Sequence, residues 1–276
     1  MRLLVTTQKI DQADSTLGFF CRWIEEFAKH FEKITVICLE KGDYTPPNNV
    51  EVYSLGKENF QSGLNFKFLN LKFSLLRKLL YVIKFKLYIF RISKKYDAVF
   101  VHMNPEYLLI GGLFWRLFGK PAALWYNHPA WNWRVRLAVK FADKVFYTSP
   151  QASTARLSKS VQMPVGIDTE QFKKSAVIAG SNTAMTRKIL SLGRISKYKR
   201  IHVMLEALKI LHDEGADFKF NIFGNKVLEE DQYFDDMRAR MNPLEQIGKI
   251  AYAPGVPPKD PCLSYMPIWT GCLTPL

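Results

Sequence analysis

Lys188-Ile189-Leu190-Ser191-Leu192-Gly193-Arg194-Ile195-Ser196-Lys197-Tyr198-Lys199-Arg200 is an apolar run that stops at a glycine and turns through a short cationic loop. Ile201–His212 then carries a helical period. Strand, glycine, loop and helix in that order make the first turn of a doubly wound parallel sheet. Ligands of such sheets bind beyond the carboxyl ends of the strands. A helix N-terminus at that edge offers backbone N–H groups and a positive dipole end, both suited to phosphate. Arg194 can fork two phosphate oxygens, and Lys199, which opens the helix, adds a point charge. The same loop also reads as plain surface with two solvated cations.

Downstream, Phe218–Phe223 reads as a strand, Glu229–Met241 as a helix and Ile247–Tyr252 as a third strand. That is β-α-β-α-β, the start of a doubly wound unit. Only 84 residues remain from Gly193 to Leu276, roughly half of a six-stranded unit. Upstream, Met163-Pro164-Val165-Gly166-Ile167-Asp168-Thr169 breaks the pattern, and Lys174 to Thr186 has little periodicity, so the stretch is a linker. The expected division is 1–165, a linker over 166–186, and 187–276.

The first half repeats the theme. Arg2–Thr6, Ile34–Leu39, Val50–Leu55, Ala98–His102, Ala122–Tyr126 and Lys144–Thr148 read as strands. Thr16–Phe31, Pro105–Phe118 and Trp131–Phe141 read as helices between them. Near-continuous apolar strands separated by helices argue for a parallel sheet covered on both faces. From Phe66 to Ile92, Leu69, Phe73, Leu76, Leu80, Ile83, Leu87 and Phe90 recur at alternating four and three. No Asp or Glu lies between Glu58 and Asp97. This long basic amphipathic helix either covers the sheet with a solvated basic face or docks on anionic lipid, where each Lys or Arg is worth about 1 kcal/mol.

The charge balance, 39 Lys+Arg against 25 Asp+Glu, favours an anionic partner of some kind. The four cysteines form no C-x-x-C pair and have no His at metal-ligand spacing, so they read as reduced thiols and no metal is expected. A G-x-G-x-x-G after the first strand is missing, as is a P-loop, which argues against NAD, FAD and P-loop NTPase readings. Nucleic acid is disfavoured, because the cations gather on one helix and no recognised module is present. His102, before Met103-Asn104-Pro105-Glu106, and His128, after Leu124-Trp125-Tyr126-Asn127, stand just past strand ends, on the edge where ligands bind. Asp11-Gln12-Ala13-Asp14-Ser15-Thr16-Leu17-Gly18 places one glycine near a helix start.

Taken in order, these pieces resemble the retaining glycosyltransferases of the GT-B fold, the large family 4 group. The carriers are the first strand with its glycine-bearing loop, the strand-end His128, the linker Gly166-Ile167-Asp168-Thr169-Glu170-Gln171-Phe172, and Gly193-Arg194 with Lys199. The linker is similar to that family's N-G-V-D-x-x-x-F signature, and the Arg-x4-Lys spacing to its diphosphate clamp. The resemblance implies an α/β fold of two doubly wound Rossmann-like domains, the second one incomplete. It implies hexose transfer from a nucleotide-diphosphate sugar to a glycan or lipid-linked acceptor, with retention and without a metal or other cofactor. Arg194, Lys199 and His128 would be catalytic. Gly18, Gly193 and Gly224 would lie against the donor, and His102, Asn104 and Glu106 would line the acceptor side. An anionic membrane surface met through 66–92 would place the protein in the cytoplasm, peripheral to the inner face of the plasma membrane. The family's E-x7-E element is missing from the tail Cys262–Cys272, so the resemblance is to a truncated member. A non-catalytic remnant that keeps acceptor or membrane binding is the alternative.

Overall fold

In β1 (Arg2–Ile10) alternate side chains enter different cores. Leu4 joins Ile37, Val99, Val101, Leu124 and Val145 on one face of a sheet. Leu3 and Val5 join Ile34, Val36, Cys38 and Phe100 on the other. A strand of period two buried on both faces is the reason its sequence reads as a continuous apolar run. The computed structural model describes residues 1–14, 16–60, 70–164, 187–227 and 230–255. The linker signature 166–172, the aperiodic stretch 174–186, the first turn of the expected basic helix with Leu69, and the tail 262–272 lie outside those residues.

The chain divides into two units, Met1–Gly166 and Ile167–Leu276. In the first, β1 is followed by α1 (Phe19–Ala28), β2 (Lys33–Lys41), β3 (Val50–Ser54), α2 (Asn70–Arg91) and β4 (Ala98–His102). Then come α3 (Glu106–Leu117), β5 (Ala122–Trp125), α4 (Trp133–Ala138), β6 (Lys144–Tyr147) and β7 (Ser160–Gln162). The strands form one seven-stranded sheet in the order β3-β2-β1-β4-β5-β6-β7. Every pairing is parallel, with Val5 opposite both Val36 and Phe100. This is the doubly wound arrangement expected from the alternation of elements. α2, α3 and α4 pack on one face around Phe85, Tyr107, Trp115, Val135 and Ala138. α1 covers the other through Phe20, Cys21 and Ile24. Trp115 donates its indole N–H to the Tyr96 hydroxyl at 3.1 Å, and Tyr96 donates to the Ile89 carbonyl at 3.2 Å, so both buried polar tips are satisfied.

Three differences from the sequence reading have physical causes. β7 is a three-residue edge strand on β6, too short to carry an alternation. α2 does lie on the sheet, but not through the stripe that the spacing singles out. Phe85 and Ile89 are buried, and Tyr81 and Tyr88 are half-buried beside them. Leu76, Leu80, Ile83, Leu87 and Phe90 face solvent. The helix carries two apolar stripes on opposite sides. The one with the larger rings wins the sheet, Phe85 packing 5.0 Å from Tyr107 and 6.2 Å from Trp115 between ring centroids.

In the second unit β8 (Arg187–Leu192), α5 (Ile201–Asp213), β9 (Phe218–Phe223), α6 (Asp231–Gln246) and β10 (Ile250–Ala253) give a parallel sheet in the order β10-β9-β8. Ile195, Ile201, Leu205, Phe220, Ile222, Met237 and Met241 form its core. The third difference is here: α6 does not stop at Met241 but runs on through Pro243. Proline removes the N–H that would bond the carbonyl four residues back, Ala239. Leu244, the next core contact after Met237 and Met241, offsets that loss, and Arg238 spans the proline to Glu245 at 2.8 Å.

Candidate functional site

At the carboxyl ends of β8 and β9 the chain makes two close approaches. Gly193 has φ +143°, a backbone that favours glycine, and donates its N–H to the Phe223 carbonyl at 2.9 Å. A Cβ at Gly224 would stand 1.9 Å from the Gly193 carbonyl oxygen. Gly224 donates to the Ala253 carbonyl at 3.1 Å and accepts from the Tyr252 hydroxyl at 2.9 Å. Ile195 donates to the Asn225 carbonyl at 2.9 Å and is fully buried, so the loop after Gly193 is pinned at its second residue.

On this frame Arg194 and Lys199 are exposed, and neither has an ion-pair partner among the described residues. The Lys199 stem passes over Gly193, its Cε 3.6 Å from where a Cβ would stand. Arg194 follows Gly193 in the chain, so both cations belong to the loop at the tip of β8. Unspent guanidinium and ammonium groups at such an edge suit an anion of two or more charges.

The helix N-terminus contributes less than its sequence suggests. Lys199 closes a single 3-10 turn (Lys197–Lys199), and Arg200, at φ +51°, separates that turn from α5. The His202 N–H at the start of α5 points to the Tyr233 hydroxyl at 3.3 Å, and the Lys197 N–H goes to Glu230 at 2.9 Å. Donors that an isolated helix start leaves open are taken here, which puts the weight on the side-chain cations.

In the first unit the expected residues sit at neighbouring strand ends but in different states. His128 is exposed, and its Nδ1 accepts from the Ala130 N–H at 3.0 Å. That bond leaves Nε2 as the protonated nitrogen of the neutral ring, a donor facing outward. Asn127 beside it accepts from the N–H groups of Thr148 at 3.1 Å and Ser149 at 2.8 Å. It ties the end of β5 to the end of β6 and so fixes the position of His128. An Asn before a strand-end His is the signal by which sequence reading finds this role.

His102 is only 2% exposed, so the acceptor contact expected of it does not fit this position. Its ring stacks on Phe20 at 3.8 Å, stands edge-on to Phe19, and meets the Thr7 hydroxyl through Nδ1 at 3.1 Å. Asn104 donates to the Gln8 side chain at 2.6 Å, and Glu106 pairs with Arg134 at 3.5 Å. Gly18 is buried in ordinary helical conformation, φ −57°, with its N–H on the Asp14 carbonyl at 2.9 Å. The close diphosphate approach expected of Gly18 therefore has no free N–H behind it. Asp14 accepts from the N–H groups of Thr16 and Leu17 at 2.9 and 2.8 Å, filling the start of α1 with the chain's own carboxylate. Lys9 holds Asp11, Asp14 and Glu40 at 3.1, 2.9 and 3.1 Å, a network that sequence reading missed because it joins the ends of two strands. An apolar cavity of about 600 Å³ lies along the α1 face, lined among others by Trp23, Phe27, Phe100, Trp125 and Phe146, away from this charge network.

Burial drives the His102 imidazole down to about 3. In the unfolded chain it takes up a proton below about pH 6.5. Between those values the unfolded state binds more protons, so stability falls as pH drops from about 6.5 towards 3, by at most about 1.4 kcal/mol per pH unit. Above that window the ring contributes no slope. Urea unfolding at pH 7 and pH 5 is expected to show His102→Gln losing about 2 kcal/mol less than the parent over that interval. Parallel losses would mean that the ring ionises in place.

No family model matches the chain, and no curated protein matches it in sequence. Solved structures do. Anabaena Alr3699/HepE, in complex with UDP and glucose, superposes with a TM-score of 0.62 at 15% identity, over 92% of this chain and 69% of its own. Sucrose-phosphate synthase (tll1590) from Thermosynechococcus elongatus gives 0.63 at 11% identity, over 96% and 73%. A glycosyltransferase from Rickettsia africae gives 0.60 at 15%, over 96% and 70%. Likeness at such identities speaks for the fold: the chain has the α/β GT-B fold, with β8, β9 and β10 as the described sheet of the second unit.

Proposed function

We propose that this chain is a glycosyltransferase that moves a hexose from a nucleoside-diphosphate sugar to a glycan or lipid-linked acceptor with retention of configuration. The observation that carries the proposal is the pair Arg194 and Lys199 at the tip of β8, both exposed and, among the described residues, without ion-pair partners. The fold is shared with a protein solved with UDP and glucose, which favours a uridine donor. As the bond from the anomeric carbon to the diphosphate breaks, negative charge collects on the leaving oxygens. Fixed cations at that point stabilise the transition state more than the ground state. They supply the compensation that a metal ion gives in other transferases. His128, with Nε2–H outward, is suited to hold a hydroxyl of the transferring sugar, and Asn104 and Glu106 to meet the acceptor. An anionic membrane surface is the partner we assign to the basic stretch 66–92, with the protein cytoplasmic and peripheral to the inner face of the plasma membrane.

Calorimetric titration of the whole protein with UDP, GDP and ADP tests the reading. Micromolar binding of one of them, followed by turnover of its sugar conjugate, is the expected result. Silence to all three removes the donor site and leaves a non-catalytic remnant. The anomer of the product, read by proton NMR, decides retention.

A further inference from the structure

The outer surface of the helical layer on the first sheet is apolar where a solvated layer carries polar side chains. On α2, Leu76, Leu80, Ile83, Leu87 and Phe90 share one face, from 46% exposed at Ile83 to 64% at Phe90. α3 packs beside α2 and adds Leu113, Leu117 and Phe118, with Leu117 74% exposed. Phe90 meets the edge of Phe114 at 6.2 Å between centroids, and Phe114 stacks on Phe118 at 4.3 Å. The two helices therefore present one continuous apolar surface. α4 packs on α3 and brings exposed Trp133, whose ring lies under the Arg134 guanidinium at 5.7 Å.

Charge says what such a surface meets. From Asn59 to Ala142 the sequence holds fourteen Lys and Arg, and its acids are Asp97 and Glu106 alone. Each of those acids is in an ion pair, with Arg2 and Arg134 respectively. Arg77 and Arg91 lie about a quarter turn to one side of the α2 apolar face and Lys86 to the other. A contiguous apolar patch rimmed by cations marks an interface. A second copy would set these cations against their own kind. A nucleic acid has no use for the apolar centre. An anionic bilayer answers both features, its acyl boundary taking the leucines and its headgroups the cations, whose long stems reach outward. Among the described residues no helix is long and apolar enough to cross a membrane, so α2 would lie along the interface.

We propose that the outer faces of α2, α3 and α4 together form a surface that inserts into the interfacial layer of an anionic bilayer. This builds on the membrane partner assigned above. It extends that partner from cations on one helix to apolar insertion by two, edged by a third. It is read without donor or turnover, so its failure and that of the transferase reading are separate events.

The test is co-sedimentation of the full chain with vesicles of phosphatidylcholine alone and with about 30 mol % phosphatidylglycerol. Binding at least tenfold stronger to the anionic vesicles is expected, weakened but not abolished by high salt. Leu80→Glu combined with Leu87→Glu, and separately Leu117→Glu, should each lower partitioning tenfold or more with thermal melting unchanged. Hydrogen exchange of the unmutated protein gives the same answer without any substitution, as protection on vesicles confined to α2, α3 and α4. Vesicle binding that ignores the glutamates, protection elsewhere only, or no binding overturns the proposal. So does a stable dimer in lipid-free buffer that Leu117→Glu splits, because the face then belongs to a second copy.

Discussion

Arg194→Ala is expected to lower kcat/KM for the sugar donor by about a hundred- to a thousandfold, the loss found when one fixed donor to a developing anion is removed. Arg194 is exposed and, among the described residues, has no ion-pair partner. Its removal should therefore leave melting unchanged and act on the ligand alone. Arg194→Lys keeps the charge but not the fork, and an intermediate loss is expected. Lys199→Ala should behave like Arg194→Ala. The double variant should lose less than the product of the two, because both cations act on one leaving group. Steady-state kinetics with the donor identified by titration, beside UDP affinity, checks all four variants. Unchanged turnover in Arg194→Ala would remove the cationic clamp from the mechanism.

Much of the fold was legible because burial on both faces leaves a plain mark. β4 (Ala98–His102) and β9 (Phe218–Phe223) begin and end where the apolar runs do, and α5 begins at Ile201 as its period predicts. What was not legible depends on competition. α2 carries two apolar stripes, and hydropathy cannot say which one meets the sheet. That choice is made by the rings of Tyr107 and Trp115, which arrive later in the chain. The expected end of α6 at Met241 is overrun because Leu244, beyond Pro243, finds its place in the core.

The site divides in the same way. The strand tip that carries Arg194 and Lys199 could be read, because an apolar run that stops at a glycine marks the end of β8. His102 could not. Its position at a strand end was right, but aromatic side chains of α1, Phe19, Phe20 and Trp23, close over it. Gly18 failed for a related reason. A glycine near a helix start suggests an open anion site, and only the structure shows Asp14 already occupying it. The sequence has no way of marking a local carboxylate as its own ligand.

Gly224→Ala is expected to destabilise the second unit by about 3 kcal/mol, at the upper end for overpacking a tight site. The contact met by the new methyl is backbone, not a flexible side chain: the Gly193 carbonyl oxygen, at 1.9 Å from the Cβ position. Relief requires β8 and β9 to part at their tips, where Gly193 donates to Phe223 and Ile195 to Asn225. Hydrogen exchange should then show the amides of Gly193 and Ile195 losing protection first. Because the core of Ile195, Phe220, Ile222 and Met237 belongs to the second unit alone, the exchange pattern of β1 to β7 should stay as it was. The displaced Gly193 carries Arg194 with it, so UDP affinity should fall together with stability. That joint loss separates the two residues: Arg194→Ala removes a charge from an intact frame, whereas Gly224→Ala leaves the charge and moves the frame. A Gly224→Ala protein that melts like the parent and still binds UDP would mean that the strand tip yields cheaply, and that the aim of the cation does not depend on it.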